Sequence, residues 1–143
     1  MAATRTAEAH WEGSLKEGEG EVKLASSGIG TYPVSWPART EQPNGMTSPE
    51  ELIAAAHSTC FSMSVANELV LAGNAAPTTV DTRAEVTFQP GTGITGIKLF
   101  MNAVVPDIDQ EAFSAAIAAA EKNCPVSRAL AATPITVEAS LAE

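Results

Sequence analysis

Hydrophobic and polar positions alternate in short runs through the first third of the chain. Ala9 to Leu15 and Glu21 to Ser26, parted by a Gly18-Glu-Gly20 turn, predict two strands, and Thr31 to Val34 a short third one. Pro33 to Gly45 carries neither period and reads as a loop. The next element is better marked. Ser48-Pro49-Glu50-Glu51 combines a capping hydroxyl, proline at the first helical position and a glutamate three residues after the cap. A helix is expected from there to about Ala72, where Gly73 supplies a left-handed end. Leu52, Ala56, Cys60, Met63, Asn67 and Val70 recur on one face of it, which predicts that Cys60 sits mid-helix on the core-facing stripe.

Strict alternation then returns. Val80, Thr82, Ala84, Val86 and Phe88 share one face, as do Ile97, Leu99, Met101, Ala103 and Val105, and the Pro90-Gly-Thr-Gly93 turn makes the two runs a hairpin. The other face of the second strand holds Phe100 and Val104 beside Lys98 and Asn102, apolar enough to suggest self-association. A second helix opens near Asp107 or Asp109, with Phe113, Ala116, Ile117, Ala120 and Cys124 along one side. Pro125 stops it and starts a short helix to about Ala132, after which Ile135, Val137, Ala139 and Leu141 form a last strand. Strands, helix, hairpin, helices, strand is the order of an α+β fold with antiparallel strands, not of a doubly wound parallel sheet.

Composition narrows the function. The chain has 143 residues, 45% hydrophobic, with no internal repeat or linker, so a single domain over residues 1–143 is expected. A formal charge of -9 argues against a nucleic-acid partner, because such binding rests on Lys and Arg displacing counterions from phosphates. No apolar stretch has signal-peptide length or approaches the ~20 residues of a membrane span, so no membrane partner and a cytoplasmic address are expected. In a reducing compartment two cysteines serve either as small buried apolar residues or in chemistry.

Cys60 and Cys124 lie far apart in sequence, with neither a C-x-x-C motif nor a zinc-knuckle spacing; only folding brings them together. Cys124 falls at the C-terminal end of its helix, where unsatisfied carbonyls disfavour a thiolate, and burial alone raises the pKa of Cys60. An attacking cysteine therefore needs a cation. Arg39, in the segment leading into the Cys60 helix, is the first candidate and Arg128 the second, while Arg83 points off the solvent face of its strand. A buried arginine needs a carboxylate to orient it, which Glu50 or Glu51 supplies, Glu51 being otherwise accounted for by the capping box. His57, three positions before Cys60, permits a Cys-His pair of hydrolase type, but no third group completes it and a hydrogen-bonded core histidine is the plainer reading. His57, Cys60 and Cys124 as zinc ligands lack a fourth partner at ligand spacing. Met46, Met63, Met101, Trp11 and Trp36 read as core or pocket wall.

The run Ser-Pro-Glu-Glu-Leu-Ile-Ala-Ala-Ala-His-Ser-Thr-Cys-Phe-Ser-Met, Ser48 to Met63, resembles the signature of the OsmC/Ohr family of osmotically inducible and organic-hydroperoxide-resistance proteins. Asn123-Cys-Pro-Val-Ser-Arg-Ala-Leu130 is similar to the second cysteine motif of that family, and Trp11 to Gly20 and Ile135 to Leu141 extend the likeness over nearly the whole chain, on the OsmC side. The resemblance implies an intertwined α+β homodimer with active sites at the subunit interface. It implies a cofactor-free thiol peroxidase of oxidative or osmotic stress. Cys60 attacks an organic hydroperoxide and becomes a sulfenic acid, Cys124 condenses with it to a disulfide, and a dithiol such as that of a lipoylated protein reduces the pair. Arg39 and Glu50 take the positions of the family's arginine and glutamate. Two local departures stand out: Arg39 is followed by Thr40 and not by an aromatic, and Ser48-Pro49 replaces Asn-Pro. A carrier of an apolar ligand with merely buried cysteines is the alternative from another class, and a hydrolase the third.

Overall fold

A computed structural model describes residues 1–142. The chain divides into two compact units, one from Met1 to Leu52 and one from Ile53 onward.

The first unit is a three-stranded antiparallel sheet in the order β1 (Glu8–Glu12), β2 (Glu19–Lys23), β3 (Thr31–Val34). Trp11 pairs with Gly20, and no larger residue fits there: a Cβ on Gly20 would lie 2.4 Å from the His10 carbonyl and 2.7 Å from the Trp11 ring. The stretch expected to be loop contains a helix, α1 (Trp36–Thr40). Its signals are local. Ser35 is the N-cap, its hydroxyl accepting from the Ala38 amide at 3.2 Å, and Pro37 stands in the first turn, where a missing N–H costs nothing. Thr47 then bridges to Val34 in parallel, its amide donating to the Pro33 carbonyl at 3.1 Å, and this returns the chain to the sheet at the start of α2 (Pro49–Leu71). Ser48 caps α2 by accepting from the Glu51 amide at 3.2 Å. The Glu51 carboxylate accepts from Thr47 at 2.6 Å and stays exposed.

The second unit pairs β4 (Thr79–Gln89) and β5 (Gly93–Val104) as the expected antiparallel hairpin. The last strand, β6 (Ile135–Leu141), lies beside β5 in parallel, Ile97 opposite Ile135 and Ala103 opposite Leu141, where antiparallel pairing was expected. Two helices between β5 and β6 carry the chain back to the starting end of β5, which permits parallel pairing. They are α3 (Gln110–Asn123), with Asp109 as N-cap at 2.7 Å from the Ala112 amide, and α4 (Pro125–Ala129). The β5 row Ile97, Leu99, Met101 and Ala103 packs with Phe113, Ala116, Ile117 and Ala120 of α3 and with Phe61, Val65 and Leu69 of α2. Each large side chain buried in that core contributes roughly 1.5–3 kcal/mol, and Phe61→Ala would cost roughly 3–5 kcal/mol.

The buried stripe of α2 differs from the expected one. His57, Phe61, Val65 and Leu69 are fully buried, whereas Ala56, Asn67 and Val70 are exposed and Met63 is 68% exposed. The helix is apolar nearly all round, so two stripes fit its periodicity, and the bulkier row at four-residue spacing faces the sheet. Cys60 lies at the edge of that row, half-buried against the core.

Candidate functional site

The two cysteines meet. Cys60 on α2 and Cys124 at the α3–α4 junction have their sulfurs 3.5 Å apart as free thiols, within reach of one S–H donating to the other. Pro125 makes this junction: it stops α3, and Cys124 becomes at once the C-cap of α3 and the N-cap of α4. Access separates the two. Cys60 is partly open to solvent and Cys124 is 0% exposed.

The electrostatics correct the sequence expectation. Burial pushes the Cys60 thiol up; the Val126 backbone opposes it, the hydrogen bond and charge of Cys124 add to it, and the Ser64 hydroxyl gives the smallest opposing effect, so that the thiol stays above its ordinary value. Burial also acts upward on Cys124, but the Ser127 hydroxyl, the Ser127 and Val126 amides and the Cys60 thiol together bring it below its ordinary value. The last turn of α3 was expected to disfavour a thiolate at Cys124. The direction is the opposite one, and the groups that lower it, Ser127 and the Val126 backbone, belong to the start of α4. Within this pair Cys60 is the accessible sulfur and Cys124 the buried one.

Ser127, not singled out from sequence, is buried and lies 2.7 Å from Nε2 of the fully buried His57. Its signal was available, since the third position after a helix N-cap is where a side chain turns back toward the cap. His57 thus bonds to Ser127, where a nucleophile pair with Cys60 had been weighed. Nδ1 of His57 is buried with no partner, and burial lowers the pKa of the ring. Among the described residues no group of three or more His, Cys, Asp or Glu is placed to hold a metal ion.

Arg39 and Glu50 meet in the first unit. The α1 turn directs Arg39 toward the opening turn of α2, where Glu50 is only 7% exposed. Arg39 Nε donates to both carboxylate oxygens, at 3.0 and 3.1 Å, and Nη2 to Oε1 at 2.8 Å, a bidentate fork that fixes the plane of the guanidinium. Its Cζ lies 5.9 Å from the centre of the Trp36 ring. Arg39 also lines a groove of about 390 Å³ walled by Trp11, Leu15, Val22, Val34 and Trp36. By contrast, Arg83 pairs with Glu85 and lies over Phe100, covering part of the outer face that suggested self-association, and Arg128 is exposed. No helix of the described residues is long and apolar enough to cross a membrane.

A family profile described as OsmC-like protein matches residues 42–140. The chain is 41% identical to the peroxiredoxin OsmC of Escherichia coli K12 over 92% of its own length and 93% of that protein. Among solved structures it is similar to the organic hydroperoxide resistance protein OsmC of Legionella pneumophila, with a TM-score of 0.69 and 23% identity over 99% of this chain and 100% of that one. It is also similar to the organic hydroperoxide resistance protein OhrB of Bacillus subtilis, with a TM-score of 0.67 and 21% identity over 96% and 98%.

Proposed function

The chain belongs to the OsmC-like protein family, and from that premise we propose that it is a cysteine-based peroxidase reducing organic hydroperoxides to alcohols in the cytoplasm, with Cys60 as the attacking thiolate and Cys124 as its resolving partner. The observation that carries this reading is the pair of free sulfurs at 3.5 Å, one partly open to solvent and the other fully buried. Access, not thiolate population, supports Cys60 as the sulfur a peroxide meets. Its thiolate attacks the terminal oxygen, the O–O bond breaks, the alkoxide leaves as alcohol after taking a proton, and Cys60 becomes a sulfenic acid. Cys124 then attacks that sulfur to give a disulfide and water, and a dithiol returns both to thiols.

Because burial raises the Cys60 pKa, the attacking state requires a cation, and Arg39 with its plane set by Glu50 is the candidate. Glu50 and Cys60 stand ten positions apart on α2, about 15 Å of axis and about 80° of rotation, beyond the reach of a glutamate side chain. The proposed arrangement is therefore a homodimer in which the Arg39–Glu50 pair of one protomer serves Cys60 of the other. Exposed Met63, Val70 and Leu71 on α2 supply apolar surface for such an association.

The test is to treat reduced protein with one equivalent of cumene hydroperoxide and count free thiols. Loss of both thiols with one peroxide consumed is expected. Cys60→Ser should abolish peroxide consumption, whereas Cys124→Ser should consume one equivalent and stall with dithiol. Unchanged thiols would overturn the peroxidase in favour of a carrier using the apolar groove, and equal loss of the first oxidation in both variants would overturn the assignment of roles.

A further inference from the structure

The sulfurs of Cys60 and Cys124 stand 3.5 Å apart as free thiols, the first partly open to solvent and the second fully buried. Each is carried by an element that fixes its place: Cys60 on α2 at the edge of the core, and Cys124 between α3 and α4, where Pro125 ends one helix and begins the other. Their separation selects what can bond to both at once. An atom held to each sulfur at about 2.3 Å, the length of a zinc–thiolate bond, makes an angle of about 100° between sulfurs 3.5 Å apart. A linear two-coordinate ion needs its sulfurs about 4.6 Å apart, twice that bond length, and the pair falls well short. Zinc takes a wider, tetrahedral angle and at least three protein ligands, and among the described residues no group of three or more His, Cys, Asp or Glu is placed to hold a metal ion. An angle compressed below the tetrahedral one is that of a trivalent centre with a lone pair. Arsenic(III) is such a centre; it bonds strongly to thiolate sulfur at about this length, and when carbon fills one of its three positions two sulfurs complete it.

We propose that Cys60 and Cys124 form a two-sulfur chelating site for arsenic(III) compounds that carry one organic substituent. Chelation goes beyond the peroxidase reading and does not depend on it, since it needs only two free thiols at this spacing. Both steps balance. The hydrated arsenical, R–As(OH)2, meets the accessible sulfur first: an As–S bond to Cys60 forms as an As–O bond breaks, and the departing hydroxide takes the thiol proton and leaves as water. Cys124 displaces the second hydroxyl in the same way and gives a second water. Arsenic stays trivalent and neither sulfur is oxidised, so no oxidant or reductant enters. The second bond joins groups already in place, so it forms without a further loss of translational freedom, and this is the source of the affinity. The organic substituent leaves by the open side of Cys60, because Cys124 is enclosed. A loaded pair has no thiol left to meet a hydroperoxide.

The probe is phenylarsine oxide, added in one equivalent to the reduced protein with oxygen excluded. Both free thiols should disappear, and the intact mass should rise by one phenylarsenic unit per chain. Excess glutathione, a monothiol, should restore neither thiol, whereas dithiothreitol, itself a chelating dithiol, should restore both. Cys60→Ser and Cys124→Ser should each hold the probe at least about a hundredfold more weakly than wild type, and Cys124→Ala replaces Cys124→Ser if the serine fails to fold in that buried place. One thiol lost per chain with one arsenic per two chains would mean that arsenic bridges Cys60 of two copies, and would overturn the proposal. Release by glutathione, or single-cysteine variants that bind as tightly as wild type, would overturn it equally. Thiols taken up by phenylarsine oxide but untouched by cumene hydroperoxide would strike down the peroxidase reading and leave the chelating site standing, and the reverse result would strike down the chelating site alone.

Discussion

Acidification offers a direct measure of the state of His57. Its ring is fully buried, one nitrogen faces a neutral hydroxyl and the other faces no partner, so the folded chain has nothing to stabilise an imidazolium. Its folded pKa accordingly lies below the ordinary 6.5. Between the folded value and 6.5 the unfolded chain binds a proton that the native chain refuses, and stability therefore falls as pH falls through that window. The full contribution is present above 6.5 and drains away below it. The slope is at most about 1.4 kcal/mol per pH unit, until the native ring itself takes up a proton. The perturbation is His57→Gln, which cannot titrate, and the assay is urea unfolding of both proteins at one fixed protein concentration from about pH 7.5 to about pH 5. Carboxylates common to both chains cancel in the difference. Wild type should lose stability relative to His57→Gln on acidification by up to about 1.4 kcal/mol per pH unit below 6.5. A difference that stays flat across the range would mean that the ring holds its proton equally in both states, which would refute the burial of a neutral imidazole at position 57.

Three further outcomes concern the catalytic pair. A heterodimer of a Glu50→Ala chain and a Cys60→Ser chain, isolated by two tags, should recover about half of wild-type turnover through its one intact site; because the Arg39–Glu50 fork is intrachain, an Arg39→Met/Glu50→Ala chain should complement Cys60→Ser equally well, and a heterodimer no more active than its parents would refute the shared site. Arg39→Met should slow attack on cumene hydroperoxide at least tenfold at neutral pH with partial recovery as pH rises, and rates equal to wild type across the profile would remove Arg39 from the mechanism. Trp36→Ala, which opens the wall of the groove beside Arg39, should raise KM for cumene hydroperoxide several-fold while leaving hydrogen peroxide reduction nearly unchanged, and equal effects on both substrates would count against an apolar tail site.

Much of this architecture is legible in local chemistry. Ser48-Pro49 and Asp109 open their helices, the 90–93 turn folds the hairpin, and Cys124-Pro125 ends α3, because caps and turns depend on neighbours a few residues away. The misreadings share a cause in tertiary context. Helix α2 presents apolar residues all round, so only the sheet it meets selects the row of His57 and Phe61 over that of Ala56 and Met63. Helix α1 was hidden by the prolines in and around it, Pro33, Pro37 and Pro43, although Ser35 and Pro37 are helix-start signals. Cys124 belongs to two helices at once, the end of α3 and the start of α4, and the sequence reading counted only the first. The carboxylate partner of Arg39 was narrowed to Glu50 or Glu51, and the choice of Glu50 follows from the strand-like contact at Thr47 that returns the chain to the sheet.

The parallel seam between β5 and β6 also sets an order of events during synthesis. The β4–β5 hairpin closes locally as soon as both strands exist, but β5 gains its second neighbour only after α3, α4 and the segment from Ile135 have been made. Until then the second edge of a twelve-residue strand, with Ile97, Leu99, Met101 and Ala103 on one face, has no partner within the chain and can template pairing with another molecule. A chain stopped before Ile135 is therefore expected to aggregate and not merely to lose a strand, and the burden on chaperones falls in the interval between translating Val104 and translating Leu141.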